Sequence, residues 1–140
     1  MDKTEFYFEM QVKEKHLDRF GHVNNAVYLQ FLELARWKIL DDSHLGMEQI
    51  IKDQCGPVVL EINIQYRNEL KLGEKISISS QTIEANSKII QMGQVIKKED
   101  GSVSAKAKIT IGLMDLDKRK LIEFTAPWQK CLGLEPELFL

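Results

Sequence analysis

The sequence predicts an α+β domain in which an antiparallel sheet wraps around one long helix. Three observations carry this. An apolar/polar alternation opens the chain at Phe6, Phe8, Met10 and Val12. A run from Val27 to Leu40 is apolar around most of a helix's circumference. Four further strand-like segments follow, separated by turn signals and with no second long helical pattern.

The first segment interleaves its apolar residues with Glu and Gln, the mark of a half-buried strand. If that alternation runs on, Glu14, His16 and Asp18 share the apolar face, and Asp18 points toward the core. Asn24 or Asn25 then caps a helix, because Asn side chains accept from the first free amides. The spacing predicts that helix over about 25–42, largely enclosed by protein. Residues 43–56 are polar at first, with Gly46 and Gly56 as breaks and a short helix around Met47, Ile50 and Ile51. Val58, Leu60, Ile62, Ile64 and Tyr66 alternate as a strand. Gly73 leads into a strand with Ile76 and Ile78, and Ala85-Asn86 turns the chain into one from Ser87 to Ile96. Glu99-Asp100-Gly101 signals a hairpin. The last long strand carries Val103, Ala105, Ala107, Ile109, Ile111 and Leu113, and the small Ala105 and Ala107 leave room for something bulky. Pro127 and Trp128 begin a short tail that reaches Leu140.

The 140 residues fit one domain with a real core, with no repeat or linker to divide them. Hydrophobic residues make up 44% and charged residues 29%, the balance of a folded, soluble chain. A net charge of −2 gives no electrostatic footprint for nucleic acid. No apolar run is long enough to cross a membrane, and the first residues carry no signal-peptide core. Cys55 and Cys131 are isolated, which fits a reducing, cytoplasmic setting better than a disulfide framework.

The stretch Asp18-Arg-Phe-Gly-His-Val-Asn-Asn-Ala-Val-Tyr28 carries the chemistry. It sets a carboxylate, a glycine turn and a polar Asn pair just before the long helix. A helix start offers free N–H groups and the positive end of the macrodipole. A carboxylate beside such a cluster suits attack on an acyl carbonyl, whose oxygen the amides can polarise.

These residues resemble a known family. The core Asp18-x-x-Gly21-His22-Val23-Asn24-Asn25-x-x-Tyr28, with Glu33-x-Ala35-Arg36, is similar to the hotdog-fold acyl-CoA thioesterases of the 4-hydroxybenzoyl-CoA thioesterase superfamily. The closest look is to their bacterial long-chain branch. Val58-Val59 through Tyr66, then Gly73, and Pro127 also match, so the likeness spans about residues 5–130. It implies a five-stranded antiparallel sheet around a central helix, a homodimer or homotetramer with sites at an interface, and no cofactor. It makes Asp18 the nucleophile or general base, and the main-chain amide of Asn25 the group that polarises the thioester carbonyl. Gly21, His22, Val23, Asn24 and Tyr28 become the expected substrate contacts. Leu17 stands where many members have Thr, and His16 where an acidic residue is frequent. Plant acyl-carrier-protein thioesterases share a similar string with an active Asn; Phe20 occupies that position here, so that role does not transfer.

Each residue also has an ordinary structural reading. Asp18 suits a turn, Asn24 a cap, His22 a backbone hydrogen bond, and Tyr28 the core. Glu33 and Arg36, three apart on one helix face, suit an ion pair. His16, Asp18 and His22 form a weak metal-ligand pattern that matches no familiar zinc spacing. Lys97-Lys98 and Lys118-Arg119-Lys120 are candidate contacts for coenzyme A phosphates or simply solvated turns. The expected reaction is hydrolysis of an acyl-CoA to a free acid and coenzyme A. The alternatives are a non-catalytic acyl-CoA-binding domain and a dehydratase acting on hydroxyacyl thioesters through His22 and Asp18.

Overall fold

The computed structural model describes residues 4–134; the end of the expected tail, residues 135–140, and residues 1–3 at the start lie outside them. The alternating opening segment forms β1 (Glu5–Gln11), with Phe6, Phe8 and Met10 turned inward and Tyr7 exposed. The long apolar run forms α1 (Asn25–Asp42), 18 residues and so about 27 Å. A short α2 (Met47–Asp53) follows. Then come β2 (Cys55–Tyr66), β3 (Lys75–Ala85), β4 (Ile89–Lys98) and β5 (Val103–Asp115). A three-residue β6 (Lys120–Ile122) and α3 (Ala126–Cys131) end the described chain.

All pairings are antiparallel, in the order β1-β3-β4-β5-β2, with β6 joined to β5. The five expected strands are therefore present, and β6 makes the sheet six-stranded. β6 is short and carries only Leu121 and Ile122, too little alternation to read in advance. It sits where the β5 backbone is bare: a Cβ on Gly112 would lie 2.7 Å from Leu121 Cδ2. β1 and β2 form the two edges.

The core lies between α1 and the inner face of the sheet. Tyr28, Phe31, Leu32, Ala35, Ile39 and Leu40 of α1 are buried, as are Ile78, Ile90, Met92, Ile96, Ile109 and Leu113 of the strands. Ala105 and Ala107 are buried too. The hairpin signals hold. Asn86 Oδ1 accepts from Lys88 and Ile89 N–H between β3 and β4, and Asp100 Oδ1 accepts from Ser102 between β4 and β5.

Two expectations about alternation are corrected. The β1 strand ends at Gln11, the alternation reaches buried Val12, and Glu14–His16 then form a 3-10 turn. Glu14 is exposed, so no common face carries Glu14, His16 and Asp18, and the placement of Asp18 has another cause. In β2 a bulge falls between Val59 and Glu61. The extra residue shifts the phase, so Val59 pairs with buried Ile111 while Leu60 turns to the outer side near Gly112. Val58, Leu60 and Ile62 therefore do not share one face.

Candidate active site

Asp18 is half-buried because a tight turn holds it. Its N–H donates to the His22 carbonyl (2.7 Å), and Gly21 N–H donates back to the Asp18 carbonyl (3.2 Å). Its Oδ1 accepts from the N–H groups of Phe20 (2.8 Å) and His22 (3.2 Å). Gly21 takes a φ of +83°, a conformation that glycine adopts without a Cβ penalty. Leu17 and Val23 pair across this loop as a β-bridge, and Val23 N–H donates to the Leu70 carbonyl (3.0 Å). Asp18 is thus locked by its own backbone, with Oδ2 left without a hydrogen-bond partner among the described residues.

The helix start follows directly. Asn24 is the cap, and its Oδ1 accepts from Ala26 N–H (2.9 Å). Val27 N–H reaches the Asn24 carbonyl (2.9 Å). Asn25 is the first helical residue, is exposed, and its N–H has no acceptor among the described residues. Its carbonyl accepts from Tyr66 Oη (3.0 Å), which ties the end of β2 to the start of α1. Tyr66 stacks edge-on against Tyr28, with ring centres 5.1 Å apart. Tyr28 is buried, and its Oη accepts from Leu70 N–H (3.2 Å); burial pushes its phenol upward. Val23 and Tyr28 are both core residues, whereas Gly21, Asn24 and Asn25 lie on the surface and His22 is half-exposed.

The His22 imidazole belongs to a small polar cluster. Its Nε2 lies 3.1 Å from Glu69 Oε2, and Lys71 Nζ lies 3.7 Å from Glu69 Oε1. His22 and Lys71 also form a backbone bridge, so the 18–22 turn is sewn to the loop after β2. Glu69 and Tyr66 were not picked out from sequence. Tyr66 ends a clear alternating strand, but Glu69 carries no local signal, because its partner is 47 positions away.

Other sequence candidates separate. His16 Nδ1 accepts from Lys13 N–H (2.9 Å), and its ring packs edge-on against Phe31 (4.8 Å). No metal-sized grouping of His, Cys, Asp or Glu occurs among the described residues, so His16, Asp18 and His22 do not converge as ligands. Glu33 and Arg36 do not form the expected ion pair. Glu33 Oε1 instead accepts from Trp37 Nε1 (3.3 Å), and Arg36 donates to Gln94 Oε1 (2.9 Å). Lys98 pairs with Glu74 (3.3 Å) at the far end of β4. Cys131 is buried, which raises its thiol and disfavours the thiolate.

Residues 12–131 match the thioesterase-like superfamily. The long-chain acyl-CoA thioesterase FadM of Escherichia coli is 39% identical over 131 residues, covering 93% of this chain and 91% of its own. The crystal structure of YbaW, a probable thioesterase from Escherichia coli, superposes with a TM-score of 0.80 at 35% identity, over 91% of this chain and 96% of that one. A Staphylococcus aureus protein solved in complex with CoA has the same fold, with a TM-score of 0.88 at 16% identity, over 100% and 89% of the two chains. The motif, the sheet around α1 and these matches converge: the chain belongs to the thioesterase-like superfamily, as a hotdog-fold thioester hydrolase.

Proposed function

We propose that the protein hydrolyses acyl-CoA thioesters to a free acid and coenzyme A at the Asp18–Asn25 turn. The observation that carries this is the state of the two Asp18 oxygens. Oδ1 is fixed by two backbone N–H groups, and Oδ2 is unbonded among the described residues. A carboxylate held this way keeps one oxygen ready to react at little reorganisation. Asn25 N–H, at the positive end of α1, serves the thioester oxygen; one such donor contributes about 10²–10³ in rate. Gly21 and Asn24 shape the approach, and His22, Val23 and Tyr28 support it, with His22 nearest the substrate side. Oδ2 either attacks the carbonyl carbon, giving a mixed anhydride and releasing the thiolate, or takes a proton from the attacking water. The name of the FadM relative supports a long acyl chain.

The protein is also proposed to work in the cytoplasm as a homo-oligomer built on a dimer. β2 is a twelve-residue edge strand with Val59, Leu60 and Tyr66 exposed, an edge that a second copy would cover. Tyr66 would carry that contact to the helix start. Light scattering on the purified chain should give a dimer mass or a multiple of it.

The test of the reaction is Asp18→Asn on a panel from acetyl- to palmitoyl-CoA with aromatic thioesters, read by free thiol. Asn keeps the Oδ1 acceptor, so the fold should persist while turnover falls at least about a hundredfold. Near wild-type turnover on every substrate would remove Asp18 from the chemistry. Binding without turnover in the wild type would instead mark a non-catalytic acyl-CoA-binding domain. A single turnover in heavy-oxygen water tests the nucleophilic role. Label in Asp18 marks a mixed anhydride opened at the Asp18 carbonyl. Label only in the product acid is the outcome both of a base and of an anhydride opened at the acyl carbon, which rapid trapping of the acylated enzyme then tells apart.

A further inference from the structure

A second feature lies farther along α1. A cavity of about 160 Å³ opens between the helix and the sheet, walled by Pro57, Val59, Leu40, Met92, Ile111 and Leu132. Two charged side chains, Glu33 and Arg36, also line it. An apolar hole for a plain hydrocarbon needs neither. Arg36 is half-buried, and burial pulls its guanidinium below the usual value. It is held in place by Gln94, which is fully buried and whose Nε2 is itself anchored to Ser80 Oγ (2.9 Å) and the Leu32 carbonyl (3.1 Å). Of the five guanidinium N–H donors, one goes to Gln94; the others have no acceptor among the described residues. Glu33 spends Oε1 on Trp37 and keeps Oε2 free among the same residues.

We infer that this cavity is a specificity subsite for a hydroxyl group near the far end of the acyl chain. The inference rests on the thioesterase reading. A hydroxyl both accepts and donates, so it can take an Arg36 N–H and give its own proton to Glu33. A terminal carboxylate would satisfy Arg36 but meet the Glu33 charge. The position along the chain follows from the helix: Arg36 lies eleven residues beyond Asn25, roughly 16 Å along the axis, so the thioester end and the hydroxyl are separated by a medium or long chain. Sites built to hydrogen-bond a hydroxyl discriminate strongly against analogues without it.

The experiment compares three CoA thioesters of equal length: dodecanoyl, 12-hydroxydodecanoyl and the mono-thioester of dodecanedioic acid. Wild type should favour the hydroxy substrate in kcat/KM by about tenfold over dodecanoyl. Arg36→Met should erase that preference, and Glu33→Gln should raise the diacid relative to the other two. Because Arg36→Met leaves Gln94 Oε1 unpaired, a second variant, Arg36→Gln, whose side-chain amide can still donate to that oxygen while Gln94 keeps its bonds to Ser80 and the Leu32 carbonyl, guards against simple misfolding. A ratio of hydroxy to plain substrate that is the same in wild type and both Arg36 variants overturns the inference while leaving thioester hydrolysis intact. If no thioester is hydrolysed, the thioesterase reading fails instead. Calorimetric affinities of the same three compounds then decide the cavity: an Arg36-dependent hydroxyl preference supports it, and its absence overturns it.

Discussion

The two ends of the Arg36 side of α1 are built by different means. At the start of the helix, Asp18, Gly21, His22, Asn24 and Ala26 are joined by hydrogen bonds spanning two to four residues. Near its middle, Arg36 reaches Gln94 across 58 residues, and Gln94 reaches the Leu32 carbonyl across 62. The first arrangement is exposed or half-exposed and keeps reactive atoms open; the second centres on buried Gln94, whose side-chain oxygen and both amide hydrogens are bonded. Local bonds place a carboxylate accurately at little cost to the rest of the fold. Long-range buried bonds hold helix to sheet. Damage to the two should therefore separate, the first appearing in turnover and the second in stability.

The largest stability loss is expected at the buried end. Gln94→Leu fills much the same volume but strips acceptors and donors from Arg36, Ser80 and the Leu32 carbonyl at once. Leaving buried polar groups unpaired costs about 1–3 kcal/mol each, and partial relaxation limits the sum, so about 2–4 kcal/mol is expected. Urea unfolding checks it. A midpoint unchanged from wild type would mean that helix and sheet are held by apolar packing alone.

Substitutions at the helix start should weigh more on activity than on stability. Gly21→Ala forces a Cβ into a φ of +83°, in open space, so the cost is conformational and about 1 kcal/mol. The turn it strains is the one that fixes Asp18 Oδ1, and kcat should fall by an order of magnitude or more. Asn24→Ala removes the acceptor for Ala26 N–H and should cost about 1 kcal/mol. It frays the turn that presents Asn25 N–H, so kcat should fall with little change in KM. Equal losses of kcat in Gln94→Leu and Asn24→Ala, at matched folded fractions, would erase the distinction between the two ends.

The same contrast explains what could be read from the chain alone. The apolar positions of β1, the Asn cap, the Asp100-Gly101 hairpin and the extent of α1 are all set by neighbours within a turn or a strand, and each was legible. Asp18 was legible as a residue, but its orientation was not: strand alternation failed at the 3-10 turn of Glu14–His16, and the real cause is its bonding to Phe20 and His22 N–H. Helix spacing suggested Glu33 for Arg36, yet the sheet supplied Gln94, because a half-buried guanidinium takes the acceptor that the core offers. The bulge at Leu60 left no sign in the alternation of Val58, Leu60 and Ile62. Glu69 and β6 matter only through partners that the fold brings up. Short-range chemistry was visible; anything decided by a residue tens of positions away was not.

The smallest expected effect tests the join between the two ends. His16 sits between the Asp18 turn and Phe31 of the core. Burial first, then the charges of Lys15 and Lys13, lower its basicity from an ordinary value of 6.5. Its Nδ1 accepts a bond from Lys13 N–H, which only the neutral ring can do. A histidine depressed in the folded state binds a proton more readily when unfolded. Its contribution is therefore whole above about pH 6.5 and is lost as the pH falls through the lower folded value. His16→Gln has no such proton to bind. Between neutral and mildly acidic pH, the urea midpoint of wild type should drop slightly more than that of the variant. His16 is only partly buried, so the gap should be small. A wild-type midpoint that instead rises relative to His16→Gln on acidification would mean that the ring is stabilised as a cation, and that its bond to Lys13 N–H does not hold it in solution.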